Sequence, residues 1–249
     1  VGGRGDKTAS KTLNRATDTT RQPGSTFKIL AAYSAALDAG GLTLASVQDD
    51  APYTYAGANG KSVNNYDRRY RGFTTLREAI TDSINIVTVK TLAQAGVSLG
   101  WQYVQEYGFT TVDSRDMNEA LALGGITQGV SNLELTAAYA AIANQGTYIK
   151  PKFYTKILDH DGNVLIDNTT PESHTVIKDS TAYLLTSAME DVVNSGTGTA
   201  CQLPNMPVAG KTGTTTSNKD LWFCGFTPYY TCAVWGGYDD NKECNSDTK

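Results

Sequence analysis

The sequence predicts an α+β fold, in which helices and antiparallel strands are segregated along the chain rather than alternating. Three observations carry this. Helix signals dominate the middle of the chain, where two capping boxes start helices. Strand signals separated by turn chemistry close it, between Pro207 and Tyr238. No βαβ alternation, internal repeat or low-complexity tract occurs between them.

Taken in order, residues 1–24 are polar and read as extended or looped. A helix follows from Ser25, with Phe27, Ile29, Leu30, Ala31, Ala32, Tyr33, Ala35, Ala36 and Leu37 apolar enough for burial on most sides. It stops at Gly40-Gly41, a usual C-terminal signal. Residues 43–72 lack periodicity and read as a long irregular stretch. Thr75-Leu76-Arg77-Glu78 is a capping box. The helix it starts breaks near Asp82-Ser83, resumes through Ile84, Ile86, Val87, Val89 and Leu92, and ends at Gly96. Another helix covers about residues 98–107 and stops at Gly108. Ser131-Asn132-Leu133-Glu134 caps the next, which runs to Asn144-Gln145-Gly146. Lys152–Leu158 and Val164–Ile166 flank the turn Asp159-His160-Asp161-Gly162 and predict a hairpin. A long helix covers about residues 180–194. Strands at Pro207–Lys211, Leu221–Thr227 and Tyr230–Tyr238 complete the chain.

The 249 residues are 40% hydrophobic and 18% charged, enough for a full core in one large domain or two small ones. The formal charge is −4 and no basic stripe appears, so nucleic acid is not an expected partner. There is no run of 18 apolar residues and no signal peptide. A start at Val1-Gly2-Gly3 without Met reads as a piece of a longer protein, whose membrane anchor would lie upstream. Cys201, Cys224, Cys232 and Cys244 include no Cys-x-x-Cys, which argues against zinc. Two disulfides in any of three connectivities fit, with Cys224 and Cys232 flanking a turn at Pro228, and so do free thiols. Neither metal nor cofactor is implied.

Chemistry concentrates in three short motifs. In Arg21-Gln22-Pro23-Gly24-Ser25-Thr26-Phe27-Lys28, a Pro-Gly turn delivers a Ser to the start of the apolar helix. Lys28 follows three residues on, and residues three apart share a helix face with Cβ atoms about 5–6 Å apart. Lys28 can thus reach the Ser25 hydroxyl, as a base reaches a nucleophile. The helix N-terminus adds free N–H groups for an oxyanion. The ordinary reading is an N-cap Ser25 beside an exposed Lys28. Ser-x-x-Lys recurs at Ser246–Lys249, in a polar tail with no helix behind it. Ser83-Ile84-Asn85 lies at the helix break, where a hydroxyl and an amide can face one cleft. Ser62-Val63-Asn64 repeats the pattern among ordinary turn residues. Lys211-Thr212-Gly213-Thr214-Thr215 is placed at a strand end. Gly213 leaves room for a substrate backbone along the edge, and Lys211, Thr212 and Thr214 suit a carboxylate.

Each motif is common alone. Together, in this order, they are the set of penicillin-binding proteins and class A β-lactamases. The chain resembles the transpeptidase domain of class A (bifunctional) penicillin-binding proteins. Val1–Asp6, Asn14–Thr17, Asn65-Tyr66-Asp67, Thr75-Leu76-Arg77, Gly129–Ser131, Ser195–Ala200 and Asp220–Phe223 extend the likeness over nearly its whole length. The resemblance implies the penicillin-recognising fold: a five-stranded antiparallel sheet covered by helices, an all-helical lobe, and the site between them. One or two first strands and a C-terminal helix of that fold are expected outside residues 1–249.

The resemblance also implies roles. Ser25 would attack the D-alanyl-D-alanine bond of a peptidoglycan stem peptide and Lys28 would take its proton. Ser83 would relay a proton to the leaving D-alanine. Asn85 would hold the substrate amide and Lys28. Lys211, Thr212 and Thr214 would bind the terminal carboxylate beside Gly213, and N–H groups of Ser25 and Thr214 would form the oxyanion hole. An amine of a second stem peptide would complete the cross-link, and β-lactams would stall as acyl-enzymes. An upstream glycosyltransferase domain and membrane anchor would place the protein on the extracytoplasmic face of the bacterial membrane.

Three other readings compete. A β-lactamase needs a water-activating Glu; Glu190 with Asn194 has the spacing but reads as a helix surface, and Ile84 stands where class A β-lactamases carry Asp. A penicillin sensor shares the motifs but makes no cross-links. A Ser-His-Asp hydrolase would need His160 or His174, both in polar loops.

Overall fold

The computed structural model describes residues 9–56 and 60–244. The resemblance read at Val1–Asp6 and the second Ser-x-x-Lys at Ser246–Lys249 lie outside them. Strand β1 (Thr20–Arg21) leads into a 3-10 turn, Gly24–Thr26. A π-helical turn, Ile29–Tyr33, and helix α1 (Ser34–Asp38) continue it. Ser34 holds the π form, because its N–H and its hydroxyl both donate to the Ile29 carbonyl, five residues back. Every residue from Thr26 to Ala36 is buried, as the apolar run predicts. This rod is the axis of the core, and Phe27 meets Phe109 edge-on at its head.

The stretch 43–72 is not structureless. Strand β2 (Val47–Asp50), β3 (Tyr53–Thr54) and β4 (Ser62–Val63) lie within it, and β5 (Gly72–Thr75) closes it. β2 pairs with β5 and β3 with β4, both antiparallel. The strands are too short and polar for a two-residue alternation to show. Helix α2 (Leu76–Thr81) then starts at the expected capping box: Glu78 N–H donates to Thr75 Oγ1, and Thr75 N–H to the Glu78 carboxylate. α3 (Asn85–Ala95) and α4 (Val97–Glu106) follow, separated by Gly96. α3, α4 and a 3-10 turn at Glu119–Leu123 pack on the rod as the helical lobe, and α2 packs on α3 and α6; a further 3-10 turn lies at Ser114–Asp116.

β6 (Val130–Ser131) pairs with β1, and the Ser131/Glu134 capping box opens α5 (Asn132–Ala143). β7 (Thr147–Ile149) later pairs with β10 (Ser173–Thr175). Between them β8 (Lys156–Leu158) and β9 (Val164–Asp167) form the expected hairpin. α6 (Asp179–Asn194) leads to the main sheet of β11 (Ala209–Thr214), β12 (Asp220–Phe226) and β13 (Thr231–Gly237), antiparallel in the order β11-β12-β13. Among the described residues it has three strands, not the five that the resemblance implies. α5 and α6 pack on it. Cys232 faces Gly225 and Cys224 faces Ala233, so the two cysteines are offset rather than opposed, and all four thiols are free.

Two glycines lock the rod's N-terminal turn to its neighbours. A Cβ at Gly213 would sit 2.8 Å from the Pro23 carbonyl oxygen and 2.8 Å from Thr26 Cγ2. Its missing side chain makes room for the chain's own turn, not for a substrate backbone, which corrects the sequence reading. Gly124 has φ +74°, and a Cβ there would meet the Gly24 oxygen at 2.5 Å. Gly124→Ala combines left-handed strain with backbone overlap, so it should cost about 2–4 kcal/mol. At this chain size that lowers the melting temperature by roughly 5–15 °C in a thermal scan.

Candidate active site

Three segments remote in sequence meet at the head of the rod. Ser25 sits half-buried in the 3-10 turn and lines a cleft of about 700 Å³ with Asn64, Asn85 and Thr214. Lys28 lies one turn further on and is fully buried. Its Nζ donates to the Ser83 carbonyl oxygen at 2.7 Å and to Asn85 Oδ1 at 2.6 Å, and lies 3.2 Å from Ser83 Oγ. The Ser25 hydroxyl is not among those partners. The contact that spacing suggested gives way to oxygens of the second motif, two of them carbonyls that can only accept. Ser25 is not a helix N-cap either, since that position is Pro23.

Ser83 owes its place to the way α2 ends. Ser83 N–H donates to the Ile80 carbonyl and Ile84 N–H to the Ala79 carbonyl, the paired bonds of a Schellman motif. The left-handed position of that motif usually holds Gly; here Ser83 occupies it at φ 57°. The reversal sends the chain directly into α3, with Asn85 as its first residue. The Asn85 side chain is fixed from both ends, donating through Nδ2 to the Asn64 carbonyl at 2.7 Å while Oδ1 holds Lys28.

Lys211 comes from inside β11, not from its end as the sequence reading had it, because the strand continues to Thr214. Its side chain is fully buried, and Nζ donates to Ser83 Oγ at 2.8 Å and to the Thr212 carbonyl at 3.2 Å. One hydroxyl thus stands between two lysine amines. Burial, reinforced by the charge of Lys211, pushes the Lys28 pKa well below the ordinary lysine value. Burial pushes Lys211 down to about 7. Thr212 is half-buried with its hydroxyl 2.7 Å from that of Thr197, and Thr214 is exposed at the cleft.

The structure therefore gathers Ser25, Lys28, Ser83, Asn85, Lys211, Thr212, Gly213 and Thr214 at one place. His160 and His174 are exposed and do not line the cleft, and neither do Glu190 and Asn194 on α6. Among the described residues, no group of three or more His, Cys, Asp or Glu side chains could hold a metal ion. None of the helices there is long and apolar enough to cross a membrane. Sequence reasoning gave Asn64 and Asn65 no role, although Asn65-Tyr66-Asp67 belongs to the resemblance. It dismissed Ser62-Val63-Asn64 as turn residues, yet all three line the cleft. The available signal was position: an Asn pair inside a Gly- and Tyr-rich stretch just before a capped helix.

A family model for the penicillin binding protein transpeptidase domain matches residues 3–243. Penicillin-binding protein 1F of Bacillus subtilis (strain 168) is 41% identical over 249 residues, covering 98% of this chain and 33% of that protein. Penicillin-binding protein 1A of Clostridium botulinum (strain Langeland) is 37% identical over 253 residues, covering 97% of this chain and 30% of that protein. The chain thus spans about a third of the length of these relatives. Among solved structures, penicillin-binding protein 1A from Haemophilus influenzae superposes with TM-score 0.81 at 29% identity, over 92% of this chain and 40% of that one. PonA1 from Mycobacterium tuberculosis gives TM-score 0.82 at 27% identity, over 96% and 65%.

The buried amines carry a stability signature. Lys211 has a folded pKa of about 7 against an ordinary 10.5, so between those values the unfolded chain holds a proton that the folded chain does not. Stability then rises with pH across that window, and the cost of burial is full below about pH 7. Lys211→Met should therefore melt several degrees higher than the parent at pH 6. That gap should narrow as the pH is raised toward 10 in parallel thermal scans.

Proposed function

This chain belongs to the penicillin-binding protein transpeptidase family, and on that premise we propose that it is a serine-type peptidoglycan D,D-transpeptidase working through an acyl-enzyme on Ser25. The observation that carries the reading is the Ser83 hydroxyl held between two buried lysine amines, with Asn85 on one of them, beside a cleft edged by Ser25 and Thr214.

The proton accounting supports it. A neutral lysine amine has two N–H donors and one lone pair. At Lys28 the two donors are spent on the Ser83 carbonyl and Asn85 Oδ1. In the resting site the lone pair faces Ser83 Oγ at 3.2 Å, and we assign it to take the Ser25 proton as that oxygen attacks the carbonyl carbon of the penultimate D-alanine. Backbone N–H groups of Ser25 and Thr214 receive the developing oxyanion. As the C–N bond breaks, the proton passes from Lys28 to Ser83 Oγ, and the Ser83 proton passes to the departing D-alanine nitrogen. Lys211 polarises that hydroxyl and supplies positive charge where Thr212 and Thr214 meet the terminal carboxylate. Gly213 lets β11 sit against the Ser25 turn. An acceptor amine on a second stem peptide then attacks the ester, its proton returns through Lys28 to Ser25, and a new amide links the two strands. A β-lactam opens along the same path, but its leaving nitrogen stays tethered and the ester persists.

We place residues 1–249 as one transpeptidase domain of a longer protein, since they match about a third of each relative. A glycosyltransferase domain and membrane anchor would lie elsewhere in that protein, at the extracytoplasmic face of the bacterial membrane. Stem peptides and β-lactams would be its small partners.

Intact-mass spectra after penicillin exposure test this. The parent should gain one penicillin mass, mapped to Ser25 and lost over many minutes or longer. Ser25→Ala should gain none, and Lys28→Ala should acylate about 10²–10⁴-fold more slowly, as expected for a lost general base. Rapid turnover of a chromogenic cephalosporin, or a normal rate in Lys28→Ala, would count against the scheme.

A further inference from the structure

The Asn85 amide can serve Lys28 only if the first turn of α3 stays fixed, and the structure gives that task to a side chain outside the three motifs. Asn65 is buried, with 4% of its surface exposed. Its Oδ1 accepts from the N–H of Asn85 at 3.0 Å and of Ile86 at 3.2 Å, the first two residues of α3. No side chain of the helix's own N-cap residue, Ile84, does this. Asn65 Nδ2 donates to both oxygens of Asp50, at 2.8 and 3.0 Å, and to the Arg69 carbonyl at 2.8 Å. The orientation of the amide is forced, since backbone N–H groups only donate and a carboxylate only accepts. Asp50 is itself fully buried at the end of β2 and accepts from Arg71 N–H at 2.9 Å. The neighbouring carbonyl, of Asn64, takes Asn85 Nδ2. Two adjacent residues thus grip Asn85 by its backbone and by its side chain.

We propose that Asn65, braced by Asp50, is a positioning residue that caps α3 from outside and so aims the Asn85 amide at Lys28. The pair touches neither Ser25 nor Lys28 and acts only through Asn85. An Asn serves here and an Asp alone does not. The site needs an acceptor toward the helix and a donor toward Asp50 in one planar group. Removing it leaves two helix N–H groups unpaired in a buried place, where each looks for another partner and the turn shifts. Displacements near 1 Å at a reacting centre can cost about 10² in rate.

This inference rests on the transpeptidase reading for its kinetic consequence but not for its structural one, so two measurements keep them apart. The first is the side-chain amide resonance of Asn85 in a ¹⁵N spectrum of unacylated protein. Asn65→Leu should shift or broaden it. The second is acylation by a fluorescent penicillin, resolved into binding and bond-forming steps. Asn65→Leu should slow the bond-forming step by about 10–10²-fold with binding changed less than threefold. Asn65→Asp alone places two carboxylates in contact and should be impaired similarly. An unmoved Asn85 resonance in Asn65→Leu overturns the inference, as does, in a parent that acylates, a bond-forming step that Asn65→Leu leaves unchanged. A parent protein that never acylates, with the resonance behaving as stated, removes the transpeptidase reading and leaves the positioning role standing.

Discussion

Two lysine amines buried against one serine hydroxyl set the terms for the rest of the molecule. Taking an ammonium out of water costs several kcal/mol unless a counter-charge repays it. Lys28 and Lys211 are both fully buried, and the acceptors they meet are carbonyl, amide and hydroxyl oxygens. No carboxylate is among them. That choice has a chemical consequence. A carboxylate at position 85 would hold Lys28 charged and unable to take a proton. The amide oxygen of Asn85 orients the amine while stabilising its ammonium form far less than a carboxylate would, so burial and the neighbouring charge of Lys211 push its pKa well below the ordinary lysine value.

The elements that present these groups are used against their local preferences. Ser83 fills a left-handed position that Gly would occupy more cheaply, because the hydroxyl is needed between the amines. Lys211 stands inside a strand where a buried apolar side chain would stabilise the sheet. The rod runs from a 3-10 turn through a π turn into a short α-helix instead of one regular helix. Such departures persist only where the surroundings over-determine them. Here Gly124 and Gly213 clamp the Ser25 turn, and Trp222 Nε1 and Tyr139 Oη donate to the Gln22 and Thr26 carbonyls on either side of it. The network is rigid because each part blocks the relaxation of another.

This division explains what could be read from the chain alone. Both capping boxes, the glycine stops, the hairpin and the apolar rod were legible, because each depends on residues within one or two turns. The motif residues were legible as a set, though not their partners. Spacing placed Lys28 on Ser25, whereas Ser83 and Asn85, 55 and 57 residues away, take its hydrogen bonds. Gly213 was misread for the same reason: the atoms that exclude its Cβ belong to Pro23 and Thr26. In β2 and β5 the inward residues are polar, Asp50 and Thr74, while Val47 and Phe73 face out, so their pairing leaves no apolar alternation to read. Asn65 was named within a resembling segment but given no role, because a buried, fully bonded asparagine has the same letter as one in a turn.

The fate of an acyl group on Ser25, under the proposed transpeptidase reading, turns on what else reaches the cleft. Among the residues lining it, the acidic side chain is Asp220. Asp220 is buried, with Oδ1 accepting from Trp235 Nε1 at 3.0 Å and Oδ2 from Thr215 Oγ1 at 3.1 Å. It is engaged in holding the turn after β11, so it is poorly placed to activate water. Glu190, which had the spacing of a hydrolytic base, lies on α6 away from the lining. A site that supplies a proton route through Lys28 and Ser83, with no free carboxylate among the described residues of its lining, favours a nucleophile needing little activation. A stem-peptide amine fits that description better than water does. On this account, the preference for transfer over hydrolysis comes from which side chains the fold keeps out of the cleft as much as from those it gathers there.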